Sequence, residues 1–454
     1  MLIVATVMLT GCGGGSTRSQ TPAQDISATS SIVEVAYQVD DAEIPTIAVD
    51  ERNGAVYVAY FTSTSDIHLV RRPSPDSAWG DPVRVNSEPG DARPHAQAPA
   101  QVAVDPDGTV YVVWSNAIPV AGRRFDASNL FIARSSDGGR TFSPQRTINS
   151  DAHGPPAGHT FHDVAVANDG TLYVSWLDSR DDANMHGASD AHDTETMATS
   201  NDADHIHVAG DAHDTAAMSA SKESEHMHGA SVRVASSRDF GRTFIEGTVV
   251  ARDVCPCCRT SLAVAADGTV HVAWRGIYRD SPTGEQRDIT FASSRDGGLT
   301  FTTPRRVHDD AWHFNGCPHA GPSLAVDSDG GLHAAWFTGG GEAPGLYYAV
   351  AGPDGEFGPP AALVTGVGVS QVQIASGAQS GVWIAWEDQA DGSVRIAHID
   401  DDGSLVRVAR REGMLLPAVA AAPGGFLLAA QGSDRGKDPL TGAKAVSVIE
   451  LGRR

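Results

Sequence analysis

Apolar and polar residues alternate with a period of two in seven separate stretches of the chain, each broken by a turn that usually carries glycine. The stretches are residues 47–60, 102–114, 164–176, 262–274, 324–336, 372–386 and, in degraded form, 419–430, and most end on tryptophan. Such alternation puts one face of each strand into a core, and the pairs Asp107-Gly108, Asp169-Gly170 and Asp267-Gly268 favour the twisted turns that close hairpins. A second strand pair follows each hairpin, for example 130–134 with 143–148 and 289–293 with 302–307. Four antiparallel strands per repeat predict the blades of an all-β ring, a β-propeller. The seventh copy has a third strand at 445–451 and no fourth, whereas 32–37 precedes the first hairpin without a partner. The expectation is therefore a seven-bladed propeller closed by its N-terminal strand, which removes exposed sheet edges. Six blades are the alternative if the last copy is irregular.

Composition agrees with many short strands joined by tight turns: of 454 residues, 48 are Gly and 25 Pro, and only 6% are aromatic. A formal charge of −23 repels nucleic acid and anionic headgroups, so cationic partners, metal ions among them, fit better.

Turns between third and fourth strands repeat a motif: Ser135-x-Asp137-x-Gly139-x-Thr141-Phe142, Ser237-x-Asp239-x-Gly241-x-Thr243-Phe244 and Ser294-x-Asp296-x-Gly298-x-Thr300-Phe301, with weaker relics near Asp76, Asp354 and Asp402. This resembles the Asp-box repeats of the sialidase superfamily. There, Asp137, Asp239 and Asp296 would be structural residues remote from any active site, so the resemblance implies a fold rather than a reaction. A sialidase also needs an arginine cluster, a Tyr nucleophile with a Glu partner, and an acid/base Asp. The expected Arg-Ile-Pro signature is missing, and Arg71-Arg72-Pro73 falls on a third strand. Tyr278, Glu285, Arg275 and Arg279 in one loop are the candidates for such a site.

Propeller topology sends the loops into each first strand, and those from second to third strands, to one face. The loops opening blades two to five read Arg93-Pro94-His95, then 153–162 with His159 and His162, then Asp253-Val254-Cys255-Pro256-Cys257-Cys258-Arg259, then Trp312-His313-Phe314-Asn315-Gly316-Cys317-Pro318-His319. Cys, His and Met bind copper and zinc, and a rigid ring can fix their geometry. Cys255, Cys257, Cys258, Cys317 and His319 would be the primary site, with His95, His159, His162 and His313 on the same rim. Two disulfides are the competing reading; four cysteines allow three pairings, which the spacing leaves open.

Between Trp176 and the strand at Val232, residues 183–229 form an acidic insert holding seven of the 18 His and four of the seven Met. Its internal period is 21: His186, His207 and His228 correspond, as do His192 with His213 and Met197 with Met218. Too polar to fold alone, it reads as a disordered strand of ligands whose Met and His mixture favours copper over zinc. At the other end, Leu9-Thr10-Gly11-Cys12 after an apolar run resembles the lipobox of bacterial lipoproteins. That implies a signal segment at 1–12, lipidation of Cys12, a flexible tether at 13–30 and an exported protein of the bacterial cell envelope, touching membrane only through its anchor. The functional expectation is a propeller at residues 31–454 that binds transition metal, copper first and zinc second, alone or with a metal-handling envelope protein. An exo-sialidase-type glycoside hydrolase acting on glycan, and a non-catalytic protein-interaction scaffold, are the alternatives.

Overall fold

The computed structural model describes residues 35–452, apart from 124, 182–228, 280, 283, 315, 342, 353–354, 378–380, 400–404, 424 and 433–443. Cys12, the tether, His186, His192, His207, His213, His228, Met197, Met218, Asp354 and Asp402 lie outside the described residues. Seven four-stranded antiparallel sheets form a seven-bladed β-propeller, and among the described residues there is no helix.

The seven alternating stretches are the inner hairpins of the blades, running from Glu43–Asp50 with Ala55–Phe61 in blade 1 to Met414–Ala422 with Gly425–Gly432 in blade 7. Second strands are buried along almost their whole length because they lie between neighbouring sheets. Trp114, Trp176, Trp274, Trp336 and Trp386 each fill a core shared with the preceding blade; Trp176 of blade 3, for example, packs on Tyr111, Val113 and Ile132 of blade 2. Val35–Asp40 pairs with Ala445–Gly452 as the outer strand of blade 7, from Val35 opposite Ile449 to Asp40 opposite Ala445. Blades 1 and 7 then share a core of Val56, Val58 and Tyr60 with Leu427 and Val446.

The fourth strands of blades 2 and 4 are shorter than the alternation suggests: 143–148 pairs only over Arg146–Thr147, and 302–307 only over Arg305–Arg306. Ser143 and Thr302 still donate to the third strand, but Pro144 and Pro304 follow with no N–H to continue a ladder. The preceding turns are held by their aspartates. Asp137 Oδ1 accepts the N–H groups of Arg140 and Thr141 at 3.0 Å, and Asp239 and Asp296 do the same; together with the turn threonine hydroxyls, which donate to the other carboxylate oxygen, these bonds outweigh burial and hold all three carboxyls below the usual range. Gly139 (φ +81°) has to be glycine on two counts, since its left-handed backbone also presses on Leu69 of the preceding blade, 3.1 Å from where a Cβ would stand.

Around the axis, equivalent side chains stitch blade to blade. Asp163 Oδ2 accepts the Leu262 N–H at 2.8 Å, Ser261 Oγ that of Leu324 at 3.0 Å, and Ser323 Oγ that of Ile374 at 3.1 Å. Inner-strand N–H groups left over by the sheet ladder are satisfied in this way, which fixes the rotation between blades and hence the positions of the loops at the mouth.

Candidate metal centre at the mouth of the ring

The loop 253–260 crosses from blade 3 to blade 4, and its path is set at both ends. The Cys255 N–H donates to the Arg275 carbonyl, and Thr260 donates through N and Oγ1 to the Phe161 carbonyl. This folds three cysteines inward. Cys255, Cys257 and Cys258 are 1%, 5% and 0% exposed, with Cys255 Sγ 3.7 Å from Cys257 Sγ and 3.9 Å from Cys258 Sγ. A disulfide needs about 2.05 Å, and none of the four described cysteines is in one. Sulfurs each about 2.3 Å from one ion stand about 3.8–4.0 Å apart, so the trio already has the spacing of three ligands on a common metal.

The loop entering blade 5 brings Cys317 and His319 to the same place. Cys257 Sγ, Cys317 Sγ and a His319 ring nitrogen lie within 4.8 Å of one another, as do the ligand atoms of the inner trio. Cys317 and His319 are partly exposed, unlike the trio. Both loops carry left-handed non-glycine backbone beside the sulfurs, at Asp253 (φ +55°) and His319 (φ +48°), a cost that recurs where geometry is held for use. Phe161, turned out of the first strand of blade 3 by a bulge (φ +57°), packs on the thiols together with Ile277. His95 stacks edge-on against Phe161 with ring centroids 5.4 Å apart, and burial together with Arg93 and His319 pushes its pKa down to about 4. Loops opening blades 2, 3, 4 and 5 thus meet at one point.

Protons are unequally shared in the trio. Cys255 is held well below the usual thiol range by the S–H groups of Cys257 and Cys258 and by the fields of Arg287 and Arg275, while hydrogen bonding to Cys255 pushes Cys257 up and burial pushes Cys258 up. Arg287 is 3% exposed, and its Nη1 has no hydrogen-bond partner among the described residues. Sequence reasoning passed over Arg287, Phe161 and Gly321. It also passed over Arg259, which follows the thiol triplet and is buried, donating to the Val372 carbonyl of blade 6 at 2.6 Å beside a cavity of about 160 Å³ that Asp163 also lines.

Other residues on this rim serve the scaffold. His159 has acceptors at both ring nitrogens, the Ser128 carbonyl at Nδ1 (2.6 Å) and Asp151 at Nε2 (3.0 Å), and Arg180 completes the group with Asp151 and Asp178. A guanidinium therefore stands where a cation would neutralise those carboxylates. His162 is fully buried and donates from Nε2 to the Val113 carbonyl. His313 is exposed and lies beside Gln286. Arg275 is 0% exposed, spends its guanidinium on the carbonyls of Ala320, Arg287 and Phe337, and stacks on Trp312; it has no face left for a substrate carboxylate. The Tyr278 hydroxyl pairs with Thr290 at 2.6 Å under Arg306, and burial raises its pKa. Glu285 pairs with Arg279 (2.8 Å) and Arg287 (3.1 Å), and Arg279 also bonds Asp253. The loop thus holds Tyr278 and Glu285 on different partners.

The class these features define is the seven-bladed β-propeller with a thiol-rich mouth. No family model matches the chain, and no curated protein matches it in sequence. Among solved structures it is similar to the BP39L lectin from Burkholderia pseudomallei, at 12% identity and a TM-score of 0.58 over 91% of this chain and 98% of that one. It is also similar to the polysaccharide lyase Uly1, at 11% identity and 0.52 over 89% of each chain. A Hadza microbial sialidase aligns at 13% identity and 0.47, over 90% of this chain and 74% of that one. These likenesses are likenesses of fold.

Proposed function

We propose that this chain is an exported, lipid-anchored propeller of the bacterial cell envelope that binds copper as Cu(I) at the mouth of its ring, in a handling, sensing or assembly role. The observation that carries the reading is the buried Cys255, Cys257 and Cys258 trio, with sulfur separations of 3.7 and 3.9 Å and no disulfide. Three soft thiolates in a dry pocket suit Cu(I), which is content with three sulfurs, whereas structural zinc takes four ligands. Among the described residues the ligand groups at the thiols have three members each. The positive charges of Arg275 and Arg287 offset the charge of the thiolates, and the thiol protons leave to solvent as metal–sulfur bonds form.

The test is metal analysis of protein purified without oxygen from copper-supplemented cells. Copper should co-purify with the wild type and fall by at least half in Cys255→Ser/Cys258→Ser, with the β-sheet circular dichroism unchanged. Copper-free wild-type protein, or equal copper in both, overturns the reading.

A glycan ligand at the same mouth is the second reading. It has behind it a fold shared with a lectin and a polysaccharide lyase, and the exposed pairing of Arg279 with Glu285. Turnover of a fluorogenic sialoside or related glycoside, abolished by Glu285→Gln, would favour it.

A further inference from the structure

We infer that the mouth holds two metal ions, with Cys257 as a thiolate shared between them. The inference rests on the metal-binding reading above and adds to it a stoichiometry, a bridging residue and an order of filling. Five candidate ligands meet here, and they fall into two sets of three, Cys255/Cys257/Cys258 and Cys257/Cys317/His319, each with its ligand atoms within 4.8 Å of one another. The five do not form one such set. A single ion bonded to sulfur at about 2.3 Å cannot hold ligands more than about 4.6 Å apart, so it cannot take all five. Cys257 is the one member common to both sets, and a thiolate sulfur has lone pairs enough to bind two ions at once.

The two sets differ in access. The three inner cysteines are at most 5% exposed, while Cys317 and His319 are partly exposed. The outer set is therefore the one that meets an incoming ion, and exchange at the shared sulfur passes it to the inner set. Each step forms metal–sulfur bonds as S–H bonds break, the protons go to solvent, and the oxidation state of the metal does not change.

The experiment is an anaerobic titration of the reduced full-length chain with Cu(I) supplied as its acetonitrile complex, in competition with a chromophoric Cu(I) chelator. The reference is the variant in which Cys255, Cys257, Cys258 and Cys317 are all Ser, so that ligands elsewhere in the chain cancel. Wild type should bind two ions more than the reference, Cys317→Ser one more, and Cys257→Ser should bind both at least tenfold more weakly; X-ray absorption of the two-ion form should show copper–copper scattering that Cys257→Ser abolishes. One additional ion in the wild type, or two tightly bound ions in Cys257→Ser, overturns the shared-thiolate site while leaving copper binding intact. No difference between wild type and reference overturns the metal-binding reading itself, and this inference with it. Melting curves of each variant confirm that the fold is retained.

Discussion

Gly321 stands so close to Arg259 that a Cβ placed on it would meet the Arg259 carbonyl oxygen at 2.5 Å and its amide nitrogen at 3.1 Å. Gly321 ends the loop that carries Cys317 and His319, and Arg259 ends the loop that carries the thiol triplet. This backbone contact sets the distance between the two halves of the site. Gly321→Ala should force the loops apart, cost about 1–3 kcal/mol by overpacking, and weaken metal binding. Urea midpoints and Cu(I) competition check it; a variant equal to wild type in both would mean the loops are positioned by something else.

Arg275 tests whether this rim was shaped for substrate or for structure. Its guanidinium bridges three carbonyls, those of Ala320 and Arg287 in loops and that of Phe337 in the second strand of blade 5, and Arg275→Met would remove the donor that they share. At about 1–3 kcal/mol for each acceptor left unpaired, the loss of stability should be several kcal/mol, with cooperative unfolding at lower denaturant. Normal stability with lost glycoside turnover would instead make Arg275 a substrate ligand.

Acid sensitivity follows from the buried histidines. Burial holds His162 at about 4, against about 6.5 when unfolded, so below pH 6.5 the unfolded chain takes up a proton that the fold refuses. The stability contributed by the neutral ring is complete above pH 6.5 and is lost as pH falls toward 4, roughly 2 kcal/mol of it between pH 7 and pH 5. His95 and His271, also held down to about 4 chiefly by burial, act in the same direction. Asp163 opposes them: burial raises it to about 6, so its contribution grows as pH falls through 6. Three rings outweigh one carboxyl, and the midpoint of unfolding should drop between pH 7 and pH 5. His162→Phe should be less stable at pH 7 yet lose less on acidification; an identical pH slope would contradict the assignment.

Ring closure gives a further expectation. Removing residues 35–40 strips the outer strand from blade 7 and exposes the edge of Ala445–Gly452. The truncated chain should unfold at lower temperature and associate through that edge, as read by calorimetry and light scattering. A monomer with an unchanged transition would show that the core between blades 1 and 7 closes the ring without it.

The blades could be read from the sequence because the hairpins state their own register: alternation fixes the buried face and a glycine, in several hairpins an Asp-Gly pair, fixes the turn. Ring closure was readable too, since an unpaired strand at each end of a repeat array has one economical solution. The grouping of Cys255, Cys257, Cys258, Cys317 and His319 followed from topology alone. Burial depth did not. His159 and His162 look like rim ligands beside the cysteines, but a one-residue bulge in the strand pairing between Thr160 and Asp163 goes with His162 lying in the core, and His159 is claimed by Asp151 across eight residues. Arg275 looked like a substrate arginine because its three carbonyl partners lie up to 62 residues away, on other loops and the second strand of blade 5. Gly321 left one signal, a glycine directly after Cys-Pro-His-Ala, which no local rule connects to a backbone 62 positions earlier.

Copper K-edge absorption on the copper-loaded protein tests the central claim most directly. A Cu(I) edge with a first shell of sulfur, lost in the variant in which Cys255, Cys257, Cys258 and Cys317 are all Ser, is the expected result. A shell of nitrogen and oxygen alone, the same in wild type and variant, would place the metal elsewhere and leave the thiol trio without the role assigned to it.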